Sequence, residues 1–357
     1  MDEPFGLVFP NHSSQFDYPV AFLPFCHRIF FCLNIDSFGM MRDMKTSQPR
    51  FASMSSLYQS VRLAVQAAGQ WLIFGFARLL ALLPYGIQRR LGIVIGRLAK
   101  IVMPSRRKVA RQNIALCFPG LSQNEQTALL NQHFDELGQM LTQTLRAFWG
   151  NTRKLEKSVQ IEGLEYLRHS VRQGRGVLLV SGHFTALDMG GKLLSRQIKI
   201  AGVYRPHKQG VLERQVLKAR LQYGDAMFKR DELRSIIRYL RQGGVIWYAP
   251  DQDYRRGKSV FVPFFGQPAA TITATHQLAR LSGCAVHFFF VKRLDKAPWY
   301  RLKVSPALEN FPGPDVVEDT RRINAGLERM VQEAPAQYLW IHKRFKTRPE
   351  GMENPYQ

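Results

Sequence analysis

The stretch from residue 177 to residue 291 constrains the fold most, because short apolar runs alternate there with segments of helical period. VLLVSG (177–182), GVY (202–204), VIWYA (245–249), VFVPFF (260–265) and AVHFFFV (285–291) are strand-length runs rich in β-branched and aromatic residues. Between and before them the pattern predicts helices over 123–148, 188–196, 210–223, 232–240 and 273–282. Alternation of this kind predicts an α/β fold, a mostly parallel mixed sheet covered by helices, with ligand sites at the carboxyl ends of the strands. A chain of 357 residues, 45% of them hydrophobic, can bury the core that such a domain needs.

The rest of the chain divides by charge and hydropathy. Residues 1–57 carry four basic and five acidic residues, so nearly all of the net charge of +23 lies downstream. This part reads as a variable extension, with Met41, Met44 and Met54 as candidate alternative starts. From residue 58 to 112 the character changes. AVQAAGQWLIFGFARLLALL (64–83) has the length of a bilayer span, interrupted by Arg78 and closed by Pro84, and is expected to be a membrane-associated helix. Eight Lys and Arg between Arg89 and Arg111, with no acidic residue among them, suit anionic headgroups and a cytoplasmic placement. The run also lacks aromatics, which argues against the remaining non-enzyme reading, a basic nucleic-acid-binding protein. Residues 113–357 form the globular domain. Cys26, Cys32, Cys117 and Cys284 lack CxxC spacing, so neither a zinc site nor a disulfide scaffold is expected, and a reducing, cytoplasm-facing location fits.

Chemistry gathers at LVSGHFTALDMGG (179–191), where His183 ends an apolar strand and Asp188 follows five residues later. On one ideal helix these side chains would point about 140° apart, so they can meet only across a bend. With Asp188 in the first turn of the next helix, its carboxylate would hold one ring nitrogen of His183 and leave the other free to take a proton. Gly190 and Gly191 would allow close approach of backbone and substrate. A histidine at a strand end is also a common structural residue, and the residue types alone leave both readings open.

HFTALD (183–188) resembles the H-x4-D/E block of membrane-lipid acyltransferases. GVYRP (202–206), WYAPDQDY (247–254), SVFVPFFGQPAATITAT (259–275) and WIHKRFKTRPEG (340–351) resemble the late acyltransferases of lipid A biosynthesis, as does RQNIALCFP (111–119). The similarity runs from about residue 59 to the C-terminus. It implies a glycerolipid-acyltransferase-like fold at the bacterial inner membrane, with the catalytic domain facing the cytoplasm. It also implies transfer of a fatty acyl chain, lauroyl by family weighting, from acyl-acyl carrier protein to a hydroxyl on a Kdo-bearing lipid A precursor, without a cofactor or metal. A different glycolipid or glycerolipid acceptor is the alternative.

Under that resemblance His183 is the general base and Asp188 its partner. Arg205 is a candidate for the acceptor's phosphate or the oxyanion, unless it serves a structural ion pair. Asp251 and Asp253, just past the run at 245–249, would orient Arg205 or sugar hydroxyls, or else cap the DQDYRRG loop. Arg255, Arg256 and Lys258 would touch lipid phosphates or the acidic carrier protein, or simply be solvated. VFVPFFG (260–266) would line an acyl channel or pack in the core. His342, Lys343, Arg344, Lys346 and Arg348 alternate with Trp340 and Phe345 in a tail that either meets phosphates or packs as a C-terminal cap. His207, His276 and His287 are expected to be structural.

Overall fold

The computed structural model describes residue 69 and residues 71–206, 210–254 and 259–357. In chain order these form helices α1 (71–82), α2 (Tyr85–Val102), α3 (Pro104–Cys117), α4 (Gln123–Trp149) and α5 (Arg153–Ser158). Strand β1 (Gln160–Glu162), α6 (Leu164–Arg172), β2 (Val177–Val180), α7 (Leu187–Ser195), β3 (Ala201–Tyr204), α8 (Gly210–Arg220), β4 (Met227–Lys229), α9 (Leu233–Arg241) and β5 (Val245–Tyr248) follow. A hairpin of β6 (Ser259–Phe264) and β7 (Gln267–Ile272) precedes α10 (Ala274–Ser282), β8 (Ala285–Arg293), β9 (Tyr300–Val304) and α11 (Val316–Glu333).

Seven strands form one sheet in the order β1-β9-β8-β2-β5-β3-β4, and every pairing except β8 with β9 is parallel. The expected mostly parallel sheet with covering helices is therefore observed. VLLV of β2 lies at its centre with all four residues buried, as a strand covered on both faces requires. VFVPFF departs from expectation: it pairs only with β7, in a separate two-stranded hairpin. Its turn residues Phe265 and Gly266 both have positive φ, which suits a tight hairpin reversal. The edge strands β1 and β4, three residues each and partly exposed, escape periodicity analysis because they bury too little to need an apolar run.

Helix α4 carries a capping box at its start: Ser122 accepts from the Glu125 N–H, and Glu125 accepts from the Ser122 N–H in return. Its middle crosses α2 so closely that glycine is required on both sides. A Cβ on Gly96 would lie 1.9 Å from the Phe134 carbonyl oxygen, and one on Gly138 would lie 2.0 Å from that of Gly92. Gly92, Gly96 and Ala99 thus form the inward face of α2. Its outward face is aliphatic, with Ile87, Val94, Leu98 and Ile101 exposed.

Helix α1 behaves likewise. Trp71, Leu72, Phe76, Leu79 and Leu82 are exposed on it, whereas Phe74 and Ala81 are buried. The expected helix at 64–83 is described only from residue 71, and it ends before Pro84, which has no N–H to continue it and stands as the N-cap of α2. Among the described residues no helix is long and apolar enough to cross a membrane, and α1 and α2 both present outward apolar faces.

Enlarging the glycine contact tests this packing. Gly138→Ala is expected to destabilise the domain by about 1–3 kcal/mol through overpacking. That would appear in thermal unfolding as a midpoint lowered by roughly 2–4 °C per kcal/mol.

Candidate active site

Strands β2 and β5 are parallel neighbours, with Val180 in register with Tyr248. The ladder runs on for one step as the Ser181 N–H donates to the Tyr248 carbonyl at 3.0 Å. His183 and Asp251 each stand three residues beyond the paired positions, so equal offsets on adjacent strands bring together residues 68 apart in sequence. Asp251 Oδ1 takes a hydrogen bond from His183 Nδ1 at 2.6 Å, and its Oδ2 takes one from the His183 main-chain N–H at 2.8 Å. An ionised carboxylate only accepts, so the ring hydrogen sits on Nδ1 and the lone pair on Nε2.

Burial by itself would push the Asp251 carboxyl up. The neighbouring His183 charge and the two hydrogen bonds outweigh it and hold the carboxyl down at about 2. Burial by itself would lower the His183 imidazole, but the Asp251 charge and hydrogen bond raise it above its ordinary value, with Arg220 pulling the other way. Asp251 is 2% exposed while the His183 side chain keeps 30% of its surface, so the imidazole is the open member of the pair. It also meets Trp247 of β5 edge-on, with ring centroids 6.2 Å apart.

The C-terminal segment fixes the loop that carries His183. The Leu339 N–H donates to the His183 carbonyl at 3.0 Å and the Thr185 N–H to the Gln337 carbonyl at 2.8 Å. Behind the pair lies a cavity of about 10 Å³ lined by Asn113, Tyr338, His342 and Arg344 together with His183 and Asp251. That is room for about one water and not for a hydrocarbon chain.

The expected contact of His183 with Asp188 is corrected: the carboxylate on His183 belongs to Asp251. Asp188 does lie in the first turn of α7, but its oxygens take Arg220 Nε at 2.9 Å, Arg220 Nη2 at 3.4 Å and the Tyr223 hydroxyl at 3.3 Å. A guanidinium offers two donors in a fixed fork and keeps its charge, which makes it the stronger partner for a carboxylate reached by its edge. Gly190 also has a different role from the one expected. A Cβ there would lie 2.8 Å from Val291, so this glycine brings α7 onto the sheet.

Arg205 lies one residue past β3 at the same end of the sheet and is half-buried. Asp253 accepts from the Thr347 N–H and hydroxyl, both at 3.0 Å, which is the loop-capping alternative of the two expected for it. Arg344 is 2% exposed and donates to the Ala270 carbonyl at 2.8 Å and to Thr271 Oγ1 at 2.7 Å. Burial holds His342 down at about 3, and its neutral Nε2 accepts from the Asp253 N–H at 3.0 Å. The tail is therefore a packed cap at these positions, because Trp340 and Phe345 draw their basic neighbours into the core. Val262 and Phe264 are buried as well, which makes that face of β6 core packing, while Phe261 points outward. His276 bonds Asp319 at 2.8 Å, and His287 bonds Ser170 and the Ser305 carbonyl at 2.9 Å each. Arg255, Arg256, Lys258 and His207 lie outside the described residues. Among the described residues no cluster of three or more His, Cys, Asp or Glu could hold a metal.

The imidazole is expected to titrate above its ordinary value of 6.5 in the intact protein. In Asp251→Asn it should fall below that value, since burial then acts without the opposing charge. A pH titration of the ring nitrogens by NMR in both forms checks this.

Comparison with known proteins places the whole arrangement in context. The family described as "Bacterial lipid A biosynthesis acyltransferase" matches residues 58–347. The chain is 36% identical over 287 residues to the lipid A biosynthesis lauroyltransferase of Escherichia coli (strain K12), covering 80% of this chain and 94% of that one. It is 37% identical over 288 residues to the palmitoleoyltransferase of the same organism, with the same coverage. Its identity to that organism's myristoyltransferase is 30% over 272 residues, 76% of this chain and 83% of that one.

Proposed function

This chain belongs to the bacterial lipid A biosynthesis acyltransferases, and from that premise we propose that His183 and Asp251 form the acid–base pair of its acyl transfer. The donor is an acyl thioester of acyl carrier protein, with lauroyl the first chain to test. The acceptor is a hydroxyl of an acyl chain on a Kdo-bearing lipid A precursor. The hydrogen bond between His183 Nδ1 and Asp251 carries this reading, because it leaves Nε2 as the proton-accepting nitrogen of a neutral ring that keeps 30% of its side-chain surface.

An alcohol is a weak nucleophile near neutral pH, so its proton must leave as its oxygen attacks the thioester carbonyl. Nε2 takes that proton. Asp251, held ionised at about 2, stabilises the imidazolium that results. The tetrahedral adduct then collapses by breaking the carbon–sulfur bond, and the departing thiolate takes the proton back from Nε2. The products are the new ester and the free thiol. Arg220 lies close enough to His183 to oppose its protonation electrostatically, and Asp188 and Tyr223 hold it there. Together with Arg205 it supplies positive charge for the oxyanion or a substrate phosphate. Asp188 accordingly acts as a positioning residue.

The enzyme works at the bacterial inner membrane with this site toward the cytoplasm. Supporting that placement are the outward apolar faces of α1 and α2, which need a nonaqueous neighbour, and the cations interspersed with them.

His183→Ala is expected to lower kcat by roughly 10²–10⁴ when product mass is measured with acyl carrier protein thioesters and the Kdo-bearing precursor. Turnover within tenfold of the parent would overturn the assignment. The rate should fall as pH drops through the raised His183 value, since only the unprotonated ring serves as base. Asp251→Asn should move that acid limb to lower pH, whereas Arg220→Gln should cost rate without moving it downward, since Arg220 opposes protonation of the ring. A downward shift in Asp188→Asn larger than that in Asp251→Asn would restore Asp188 as the partner of the imidazole.

A further inference from the structure

A second recess lies where the turn between α1 and α2 meets the end of α4 and the β8–β9 loop. It is a groove of about 710 Å³, far larger than the cavity beside His183, with Leu82, Tyr85, Ile93, Leu155 and Trp299 among its apolar walls. Four cations line it, Arg89, Arg90, Arg146 and Lys154, and no carboxylate does.

Two of these cations build the groove. Arg146 is 7% exposed, and its guanidinium is satisfied by the Gln88 side chain and by the carbonyls of Asn151 and Leu83. Arg89 spends both terminal nitrogens on Asp295, while its Nε is buried without a protein partner among the described residues. Arg90 and Lys154 stand exposed at the rim. Leu82 belongs both to the groove wall and to the outward apolar face, so the recess opens onto that face.

We propose that this groove holds one anionic phospholipid of the bilayer, its phosphate between Arg90 and Lys154 and an acyl chain leaving over Leu82. The volume is many times that of a phosphate, each water of the liquid occupying about 30 Å³, which makes an amphiphile the fitting occupant. Charge selects its headgroup: Asp295 neutralises Arg89, but Arg90 and Lys154 make no ion pair among the described residues, and an anion at the rim relieves their uncompensated charge. The inference rests on the membrane placement proposed above. It assigns the groove to a resident lipid that orients the enzyme, apart from the acyl acceptor.

The experiment is native mass spectrometry of the full-length protein in mild detergent, titrated with phosphatidylglycerol or phosphatidylcholine. One phosphatidylglycerol should remain bound per chain at concentrations where phosphatidylcholine does not. Arg90→Glu with Lys154→Glu should weaken that retention by roughly tenfold or more. Arg168→Glu with Arg172→Glu, an equal charge change on α6, should leave it intact. Equal retention of the two lipids, equal weakening by the two variant pairs, or displacement by millimolar inorganic phosphate would each overturn the proposal. Flotation on neutral phosphatidylcholine vesicles reads the membrane placement separately, so either idea can fail alone.

Discussion

The site depends on one hydrogen bond made across the ends of two neighbouring parallel strands. Val180 and Tyr248 are in register, and three residues further on the chain delivers an imidazole from one strand and a carboxylate from the other. Asp251 grips both the ring and the main chain of His183, so the loop cannot rotate its base without breaking a second bond. The buried strands beneath are what make this rigid. A shift of one residue in the pairing would turn every side chain of β2 to the opposite face and leave Asp251 opposite the wrong residue.

The same economy appears where α2 meets α4. Glycines at 92, 96 and 138 let two backbones touch, which commits the inner face of α2 to contact and leaves its aliphatic residues facing out. An outward apolar face is costly in water. It makes physical sense beside a bilayer, and the cationic groove at its edge extends the same logic from general attraction to a particular ligand.

Much of the fold could be read from the residues. β2, β5 and β8 announce themselves as continuous apolar runs because they are covered on both faces, and the helices between them show their period. The hairpin of β6 and β7 looked like part of the sheet, since a run such as VFVPFF says that it is buried and not against what. His183 could be singled out from its position at the end of a strand, but its partner could not. Asp188 was the nearest carboxylate in sequence, whereas Asp251, 68 residues away, is the nearest in space. Arg220 and Tyr223 gave no sign of their role, because each looks like any polar residue near the end of a helix until α8 is seen beside Asp188.

The amino-acid sequence by itself determined the local facts: which runs would be strands, where the chain must bend, and which histidine lay at a strand end. Periodicity and special backbone residues act within a few positions of one another, so a linear reading reaches them. Tertiary structure alone decided which carboxylate faces the imidazole, that Asp253 and Arg344 serve packing, and which faces of α1 and α2 turn outward. Those outcomes turn on strand order, register and helix crossing, which depend on contacts between segments far apart in the chain, and no local pattern encodes them.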